Sequence, residues 1–262
     1  MGLISPTQTL AILRQTRAIL ALLTVLVLAL PWALMPRGPA RSALAGWGWR
    51  ILLGGFGVVV RCHGPRPTAD SLIVANHVSW IDIAALAGRL DCGFVAKSEV
   101  GQWPVIGALA RRQGCLFIAR DRRRAVQPML ADMAQYGSAR PLVLFPEGTT
   151  GLGETVLPFR SSLFAVASER WASIQPVTLT YRHRSGRSLS AAERRQVAWI
   201  EDDALLPHAL ALAAAGGVRL DLWFEPPMPP GDRKANAAAC HARIAARLAA
   251  DDDQAAALKR AA

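Results

Sequence analysis

A histidine and an aspartate separated by four residues form the part of the chain best suited to chemistry. His77 and Asp82 lie between the short apolar run Leu72–Ala75 and an apolar, helix-like segment from Ile83 to Leu90. Histidine titrates near neutral pH, so its ring can take a proton from a hydroxyl group. A carboxylate bound to the other ring nitrogen fixes the tautomer and stabilises the imidazolium that forms. The spacing therefore predicts that His77 acts as a general base and that Asp82 orients it.

The same segment also fits a helix start that has no catalytic role. Ser79 and Asp82 have the spacing of a capping box, with Ser79 as the N-cap and Asp82 as the third helical residue. In that interpretation Asp82 serves only the helix, and His77 is a loop histidine. The two interpretations are compatible, because an aspartate in the first helical turn lies near the loop that precedes the helix.

The composition favours a protein that works at a membrane surface. The chain has 262 residues, of which 52% are hydrophobic, and its formal net charge is +11, from 30 Lys and Arg against 19 Asp and Glu. A basic, apolar chain indicates an anionic membrane surface or a nucleic acid as partner. The sequence has no zinc-finger spacing and no arginine-aromatic stacking pattern, which disfavours nucleic acid. The four cysteines are scattered, as is typical of buried thiols in a reducing compartment.

Residues 18–36 form an apolar run without charge. As a helix this run would be roughly 28 Å long, about the thickness of a bilayer core. We therefore expect residues 1–60 to form a membrane-anchoring helical region and residues 61–262 to form the catalytic domain. Arginines on both sides of the run leave its orientation open and favour a helical hairpin in one leaflet over a spanning helix. A signal peptide is a third interpretation, since Ala43–Ala45 resembles a cleavage site.

From about residue 61, short apolar runs alternate with helix-like segments. This alternation predicts an α/β domain with a mixed central sheet flanked by helices. Pro176 predicts a bulge or a sheet edge at its strand. The expected strands are Leu72–Ala75, Gly93–Ala96, Cys115–Ala119, Leu142–Phe145, Ile174–Thr180, Gln196–Ile200 and Val218–Phe224. The expected helices are Trp80–Arg89, Val105–Arg112, Arg122–Gln135, Arg160–Trp171, Asp203–Ala214 and Lys234–Asp251.

Two further segments place polar groups directly after expected strands. Arg120 follows a buried strand, and an arginine at such a position can hold a phosphate through two parallel hydrogen bonds. Glu147 and Gly148 follow another strand, where glycine lets a ligand approach the backbone and glutamate can bind a hydroxyl or a cation. An ordinary turn is the other interpretation of the second segment.

These segments, in this order, resemble the motifs of the glycerolipid acyltransferase family, typified by 1-acyl-glycerol-3-phosphate acyltransferases. The resemblance extends over about residues 60 to 225. The matches are His77 and Asp82 for the first motif, Gly114, Phe117 and Arg120 for the second, Phe145 to Thr149 for the third, and Pro176 for the fourth.

The resemblance implies an enzyme that moves a fatty acyl group from a thioester to the hydroxyl of a lysolipid, as in phospholipid biosynthesis. The acyl donor would be acyl carrier protein or coenzyme A, with no further cofactor, and the histidines show no metal-ligand spacing. The expected location is a bacterial-type inner membrane, with the catalytic domain on its cytoplasmic side. The implied catalytic pair is His77 and Asp82, and the implied substrate-binding residues are Arg120, Glu147, Gly148, Thr149 and Arg160.

One departure bears on the acceptor. Thr150 stands where the family often has arginine, which leaves Arg160 to share the phosphate contact. The segments around Thr150 and Arg160 also resemble the lyso-ornithine lipid acyltransferases, whose acceptor has a hydroxyl on a fatty acyl chain and no phosphate. From the typical members of the family we expect lysophosphatidic acid as acceptor, and this departure makes lyso-ornithine lipid the alternative. A serine hydrolase is disfavoured because no Gly-x-Ser-x-Gly elbow occurs; a non-catalytic lipid-binding membrane protein is the alternative from another class.

Overall fold

The computed structural model describes residues 5–104, 106–118, 126–136, 140–200 and 203–261. A short 3-10 helix, Ser161–Phe164, accompanies the α-helices and strands of these residues. The helices are α1 (Pro6–Leu34), α2 (Pro39–Gly55), α3 (Trp80–Arg89), α4 (Ser98–Gln102), α5 (Ile106–Gln113), α6 (Val126–Gln135), α7 (Ala167–Arg170), α8 (Ala191–Val197), α9 (Leu205–Ala215) and α10 (Arg233–Ala261). The strands are β1 (Val59–His63), β2 (Ser71–Ala75), β3 (Gly93–Lys97), β4 (Leu116–Ile118), β5 (Leu142–Leu144), β6 (Ser173–Arg182) and β7 (Arg219–Phe224).

The strands form one sheet in the order β1-β7-β6-β2-β5-β3-β4. Strand β2 lies in its middle and pairs in parallel with both β5 and β6. Strand β3 is parallel to β4 and β5, whereas β7 is antiparallel to β6 and parallel to β1. The mixed α/β sheet with flanking helices, predicted from the sequence, is confirmed.

Strand β2 is buried on both faces. Ile73 and Ala75 belong to the hydrophobic cluster that contains Ile81 of α3, whereas Leu72 and Val74 belong to a second cluster with Ile244 of α10. All four strand residues are fully buried. A strand covered on both faces has an uninterrupted apolar sequence, which is the pattern of Leu72–Ala75. The loop that carries His77 therefore starts from a strand that is buried on both faces.

Two expected elements are wrong. Gln196–Ile200 is not a strand, because α8 occupies residues up to Val197 and a loop follows. The start of α8 is fixed by a capping box in which Ser190 N–H donates to Glu193 (2.8 Å) and Glu193 N–H donates to the Ser190 hydroxyl (3.3 Å). Arg160–Trp171 is not one helix, since a 3-10 turn and the short α7 divide it.

Pro176 does not mark an edge. Strand β6 is interior, and Pro176 pairs with Val74 of β2. The antiparallel ladder with β7 begins one residue later, at Val177, and the Pro176 carbonyl accepts the Glu225 N–H at 3.0 Å. The missing N–H of proline therefore falls outside that ladder.

The cysteines were expected to be buried, which is wrong for Cys62. This residue lies on β1, the edge strand of the sheet, and its side chain faces solvent. Cys92 and Cys240 are buried, and all four cysteines are free thiols.

Helices α1 and α2 form an antiparallel hairpin. Gly55 at the end of α2 lies against Ala21 of α1, while Arg41 near the start of α2 stacks on Trp32, with the guanidinium 4.5 Å from the ring centre. Helix α1 is long and apolar enough to cross a membrane, and little of it is buried in the protein. Its solvent-facing apolar residues are Leu10, Ile12, Leu13, Ile19, Leu20, Leu23, Leu26, Val27, Leu30 and Leu34.

The hairpin lies along the domain rather than projecting from it. Near its start, Arg14 donates to the Ala214 carbonyl at 3.1 Å and Gln15 donates to the Leu210 carbonyl at 3.3 Å, and both carbonyls belong to α9. At its other end, Arg112 of α5 donates to the Met35 carbonyl at 3.2 Å. Both ends of α1 are therefore held by helices of the α/β domain, α9 and α5.

We expect Gly55→Ala to destabilise the protein. A Cβ at residue 55 would lie 2.2 Å from the Ala21 Cβ, so the two helices must separate. Overpacking of this kind costs about 1–3 kcal/mol. Thermal unfolding of the full chain in neutral detergent, followed by circular dichroism, should show a lower Tm. Gly54→Ala is the matched control, because a Cβ there meets nothing within 4 Å; equal Tm values for the two variants would contradict this packing.

Candidate active site

The loop between β2 and α3 is anchored by the Asn76 side chain. Its Nδ2 donates to the Leu179 carbonyl at 3.1 Å, and its Oδ1 accepts the Leu179 N–H at 2.8 Å. The Asn76 side chain therefore makes the two hydrogen bonds that a backbone residue would make if the β2–β6 ladder continued. The backbone of the loop can then turn at the carboxyl end of β2, where α/β sheets place their ligand-binding groups.

His77 and Asp82 are hydrogen-bonded to each other. The distance from His77 Nδ1 to Asp82 Oδ2 is 2.8 Å. The Asp82 side chain is fully buried, and the His77 side chain is 11% exposed. Because a carboxylate can only accept, Nδ1 carries the proton. The other nitrogen of the neutral ring, Nε2, then has a lone pair that can accept a proton.

Asp82 serves the helix start as well as the histidine. Its Oδ2 atom also accepts the backbone N–H groups of Val78 at 2.7 Å and Ser79 at 2.9 Å. The helix-start role of Asp82 and its hydrogen bond to His77 therefore occur together. The same carboxylate that fixes the first turn of α3 fixes the orientation of the His77 ring, so the ring position depends on the fold of the loop.

Tyr181 completes the surroundings of Asp82, and the sequence analysis missed it. Its hydroxyl donates to Asp82 Oδ1 from strand β6. Burial and the nearby Asp82 charge raise the pKa of Tyr181 well above its ordinary value, so the hydroxyl stays protonated and remains a donor. The two residues are 99 positions apart in the sequence. Only the parallel pairing of β2 with β6 brings them together, and no local pattern around Tyr181 indicates it.

The segment after β5 forms a second side of the site. The Phe145 ring stacks on the His77 ring, with centres 4.1 Å apart and planes 15° apart. The buried Glu147 carboxyl accepts the backbone N–H groups of His77 and Leu157. Burial, reinforced by the Asp82 charge, raises the pKa of Glu147 to about 8, so this group is largely neutral at pH 7. Its Oε1 has no hydrogen-bond partner among the described residues.

Gly148 and Arg160 lie in contact beside this site. Gly148 has a φ of +74°, and a Cβ there would lie 3.0 Å from the guanidinium of Arg160. The positive φ favours glycine, and a side chain at residue 148 would displace the Arg160 guanidinium. Arg160 is exposed, and its N–H donates to the Pro146 carbonyl at 3.0 Å. The exposed residue Thr149 follows. The structure thus brings four predicted binding residues, Glu147, Gly148, Thr149 and Arg160, to the His77 side of the sheet. Arg120 lies outside the described residues.

Three loops are joined around His77 by backbone hydrogen bonds. Gly151 N–H donates to the His77 carbonyl at 2.9 Å, and Trp199 N–H donates to the Val78 carbonyl at 3.0 Å. The Thr150 hydroxyl donates to the Trp199 carbonyl. Thr150, which stands where the family often has arginine, therefore links the loop after β5 to the loop after α8.

His208 is a neutral histidine that is hydrogen-bonded to Trp80 at the start of α3. Its Nδ1 accepts the Trp80 indole N–H at 3.2 Å, so its Nε2 donates to the Ala198 carbonyl at 3.1 Å. Burial lowers the pKa of His208, which favours this neutral form. Both nitrogens are occupied, which indicates a structural role. Over the described residues, no group of three or more His, Cys, Asp or Glu side chains is placed to hold a metal ion.

The His–Asp pair at the carboxyl end of a central parallel strand, with a buried acid and an arginine beside it, has a geometry in which a histidine can take a proton from a hydroxyl group. An Acyltransferase family model matches residues 59–180. The lyso-ornithine lipid O-acyltransferase of Pseudomonas aeruginosa is 37% identical over 199 residues, which are 74% of each chain. That of Rhizobium meliloti is 33% identical over 178 residues, which are 64% of this chain and 61% of the relative. The chain therefore belongs to the acyltransferase family that contains these lysolipid-acylating proteins.

Two further comparisons agree with this family. The 1-acyl-sn-glycerol-3-phosphate acyltransferase of Neisseria gonorrhoeae is 33% identical over 135 residues, which are 50% of this chain and 52% of the relative. The crystal structure of the 1-acyl-sn-glycerophosphate acyltransferase of Thermotoga maritima superposes with a TM-score of 0.66 over 92% of this chain and 96% of that chain, at 15% identity. This second likeness shows the fold.

We expect Tyr181→Phe to lower kcat for acyl transfer about ten-fold, because it leaves one oxygen of the buried Asp82 without a partner. The KM for the acceptor should stay unchanged, since Tyr181 reaches the site only through Asp82. Steady-state kinetics of thiol release test this. The control is Tyr136→Phe, which removes the chain's other tyrosine hydroxyl from the Pro141 carbonyl. Equal kcat values for the two variants would show that the Tyr181 hydroxyl has no positioning role.

We expect the gain in stability from Glu147→Gln to grow with pH. Between its unfolded pKa of 4.5 and its folded pKa of about 8, Glu147 holds a proton in the folded protein that the unfolded chain has lost. Stability therefore falls as pH rises through this range, and glutamine removes that fall. Unfolding by urea from about pH 5 to about pH 9 tests this. The free energy of unfolding of the exposed Glu169→Gln variant should change with pH as that of the wild type does. The same pH dependence in Glu147→Gln would refute the effect of burial on Glu147.

Proposed function

We propose that the chain transfers a fatty acyl group from a thioester to the hydroxyl group of a lysolipid. The observation that carries this proposal is the 2.8 Å hydrogen bond between His77 and Asp82, which leaves Nε2 of a ring at the carboxyl end of β2 free to accept a proton. Family membership supports the same reaction. The identity of the catalytic pair, like that of the binding residues, is part of this proposal.

The reaction follows from the geometry of the pair. His77 Nε2 takes the proton of the acceptor hydroxyl as its oxygen attacks the thioester carbonyl carbon. The imidazolium that forms is stabilised by Asp82, which stays fixed by its three other hydrogen bonds. The C–S bond then breaks, and the leaving thiolate takes the proton from His77. The products are an ester and a free thiol, and no group of the protein is consumed.

Lyso-ornithine lipid is the acceptor that we favour. The two reported relatives of that name align over a larger share of the chain than the Neisseria gonorrhoeae glycerophosphate enzyme does, at 64% and 74% against 50%. Thr150 adds a second argument, because its hydroxyl is engaged by the Trp199 carbonyl and offers no cation for a phosphate. Lysophosphatidic acid, the acceptor expected from the motifs, is the second candidate, since the exposed Arg160 beside Gly148 can meet a phosphate.

The remaining parts of the proposal concern the donor and the location. We take the donor to be a thioester of acyl carrier protein or coenzyme A, as in the resemblance. The membrane-anchoring region is the hairpin of α1 and α2, which supports attachment to one leaflet because α1 lies along the domain and exposes its apolar face. For a bacterial inner membrane, this proposal places the catalytic domain on the cytoplasmic side.

We expect His77→Ala to lower turnover about 10²–10⁴-fold, because the variant lacks the general base. The full chain in neutral detergent is offered lyso-ornithine lipid and lysophosphatidic acid, each with acyl carrier protein and coenzyme A thioesters. Mass spectrometry then identifies the acylated products. The His183→Ala variant, at a partly exposed histidine after β6, is the control and should retain full activity.

Each outcome of this experiment separates the alternatives. Acylated lyso-ornithine lipid supports the favoured acceptor, and acylated lysophosphatidic acid replaces it with the second candidate. Free fatty acid without an acylated lipid would indicate a hydrolase. A folded protein that binds lysolipid without any thiol release would be a non-catalytic lipid-binding protein, and undiminished turnover of His77→Ala would exclude this histidine as the base.

A further inference from the structure

An open, strongly basic pocket lies where the hairpin meets α5, apart from the residues around His77. Its volume is about 580 Å³, and it is lined by the turn after α1, the first turn of α2 and the last two turns of α5. Four arginines line it: Arg37, Arg41, Arg111 and Arg112. Within the part of the chain that the structure describes, no acidic side chain lines this pocket.

The charge at the base of the pocket is only partly compensated. Arg41 is 7% exposed, stacks on Trp32 and donates to the Arg112 carbonyl at 2.7 Å. Burial and the neighbouring arginines lower the pKa of the Arg41 guanidinium, whereas Asp91 raises it. Asp91 is already engaged by Arg140 at 3.1 Å and by the Ser42 hydroxyl at 2.6 Å. An anion in the pocket would therefore relieve repulsion among these arginines.

The arginines at the rim of the pocket have guanidinium N–H groups that can donate to a ligand. Arg37 is exposed and makes no hydrogen bond or ion pair with any described residue. Arg111 and Arg112 are also exposed, and each uses one terminal nitrogen to donate to a backbone carbonyl, of Gly101 at 2.8 Å and of Met35 at 3.2 Å. Their remaining N–H groups are suited to the paired oxygens of a phosphate.

The surface next to the pocket is apolar. Leu30 and Leu34, in the last two turns of α1, are 67% and 76% exposed. Ile106, at the start of α5, is 45% exposed, and Trp103 just before it is 36% exposed. Basic groups directly beside exposed apolar side chains are the arrangement found where a protein meets the headgroup layer of a bilayer.

We propose that this pocket binds the phosphate of an anionic phospholipid headgroup, with the acyl chains of that lipid against the exposed face of α1. The apolar neighbours favour a lipid over an acidic protein, which would leave Leu30 and Leu34 in water. They also favour a lipid over free phosphate, which gains nothing from them. The bound lipid is a neighbour of the enzyme in the membrane and is distinct from the acceptor at His77.

The test uses the full chain in neutral detergent micelles doped with phosphatidylglycerol. Bound lipid is counted by native mass spectrometry, and the rise in Tm on binding gives a second readout. The double variant Arg37→Gln/Arg111→Gln should raise the half-saturating lipid fraction about 10- to 30-fold. Arg37→Gln alone should raise it several-fold, and its Tm without lipid should equal that of the wild type because Arg37 makes no contact that its loss would break.

The control is Arg184→Gln/Arg233→Gln, which removes two exposed arginines of the same charge from the β6–α8 loop and the start of α10. It should bind phosphatidylglycerol like the wild type. Equal lipid binding by the two double variants would overturn the proposal. So would saturation of the pocket by inorganic phosphate as readily as by phosphatidylglycerol, or binding of phosphatidylcholine with the same affinity. Acyl transfer to a detergent-dispersed lysolipid should be unchanged in the pocket variants. A failure of the phospholipid-binding proposal would therefore leave the proposed acyl transfer untouched.

Discussion

The site depends on one buried carboxylate. Asp82 is removed from solvent, and a buried charge is tolerated only when hydrogen bonds replace the water that it loses. Four donors do this: the His77 ring, the backbone N–H groups of Val78 and Ser79, and the Tyr181 hydroxyl. Each of these donors is fixed in turn by the carboxylate. The ring orientation, the start of α3 and the link to β6 are therefore aspects of one interaction.

The central sheet explains why these groups converge. Strands β5, β2 and β6 are neighbours and run parallel, so their carboxyl ends lie at one edge. The end of β2 supplies His77, the end of β5 supplies Phe145 and Glu147, and β6 supplies Tyr181. Burial makes this edge weakly polar. Burial there raises the pKa values of Glu147 and Tyr181, which favours their neutral forms.

The hairpin of α1 and α2 adds an exposed apolar surface to the domain that carries this edge of the sheet. Gly55 allows α2 to approach α1 closely, and contacts with α9 and α5 hold the two ends of α1 against the domain. The basic pocket lies at one end of the hairpin, where exposed leucines give way to arginines. These two features support the proposed lipid-facing side of the protein, which suits a reaction whose acceptor is itself a lipid.

Much of this molecule follows from local sequence. The apolar run Leu72–Ala75, the capping box at α3 and the four-residue spacing of His77 and Asp82 are local patterns, because helix and strand periods and caps act over a few residues. They predict the mixed sheet, the helix that follows it and the pairing of histidine with aspartate. The long apolar run likewise predicts α1. Where tertiary packing competes with local preference the predictions fail, as at Gln196–Ile200, where a cap at Ser190 starts a helix, and at Pro176, whose strand lies inside the sheet.

Only the tertiary structure decided which distant groups meet. Tyr181 reaches Asp82 across 99 positions, Arg160 packs on Gly148, and Thr150 binds the carbonyl of Trp199. The arginine pocket joins the turn after α1 to α5 in the same way. These contacts depend on strand order and on the path of loops, which no short-range pattern encodes. The sequence by itself determined most of the elements and the spacing of His77 and Asp82, and the packing of the sheet determined what surrounds them, because burial and distance are properties of the folded chain.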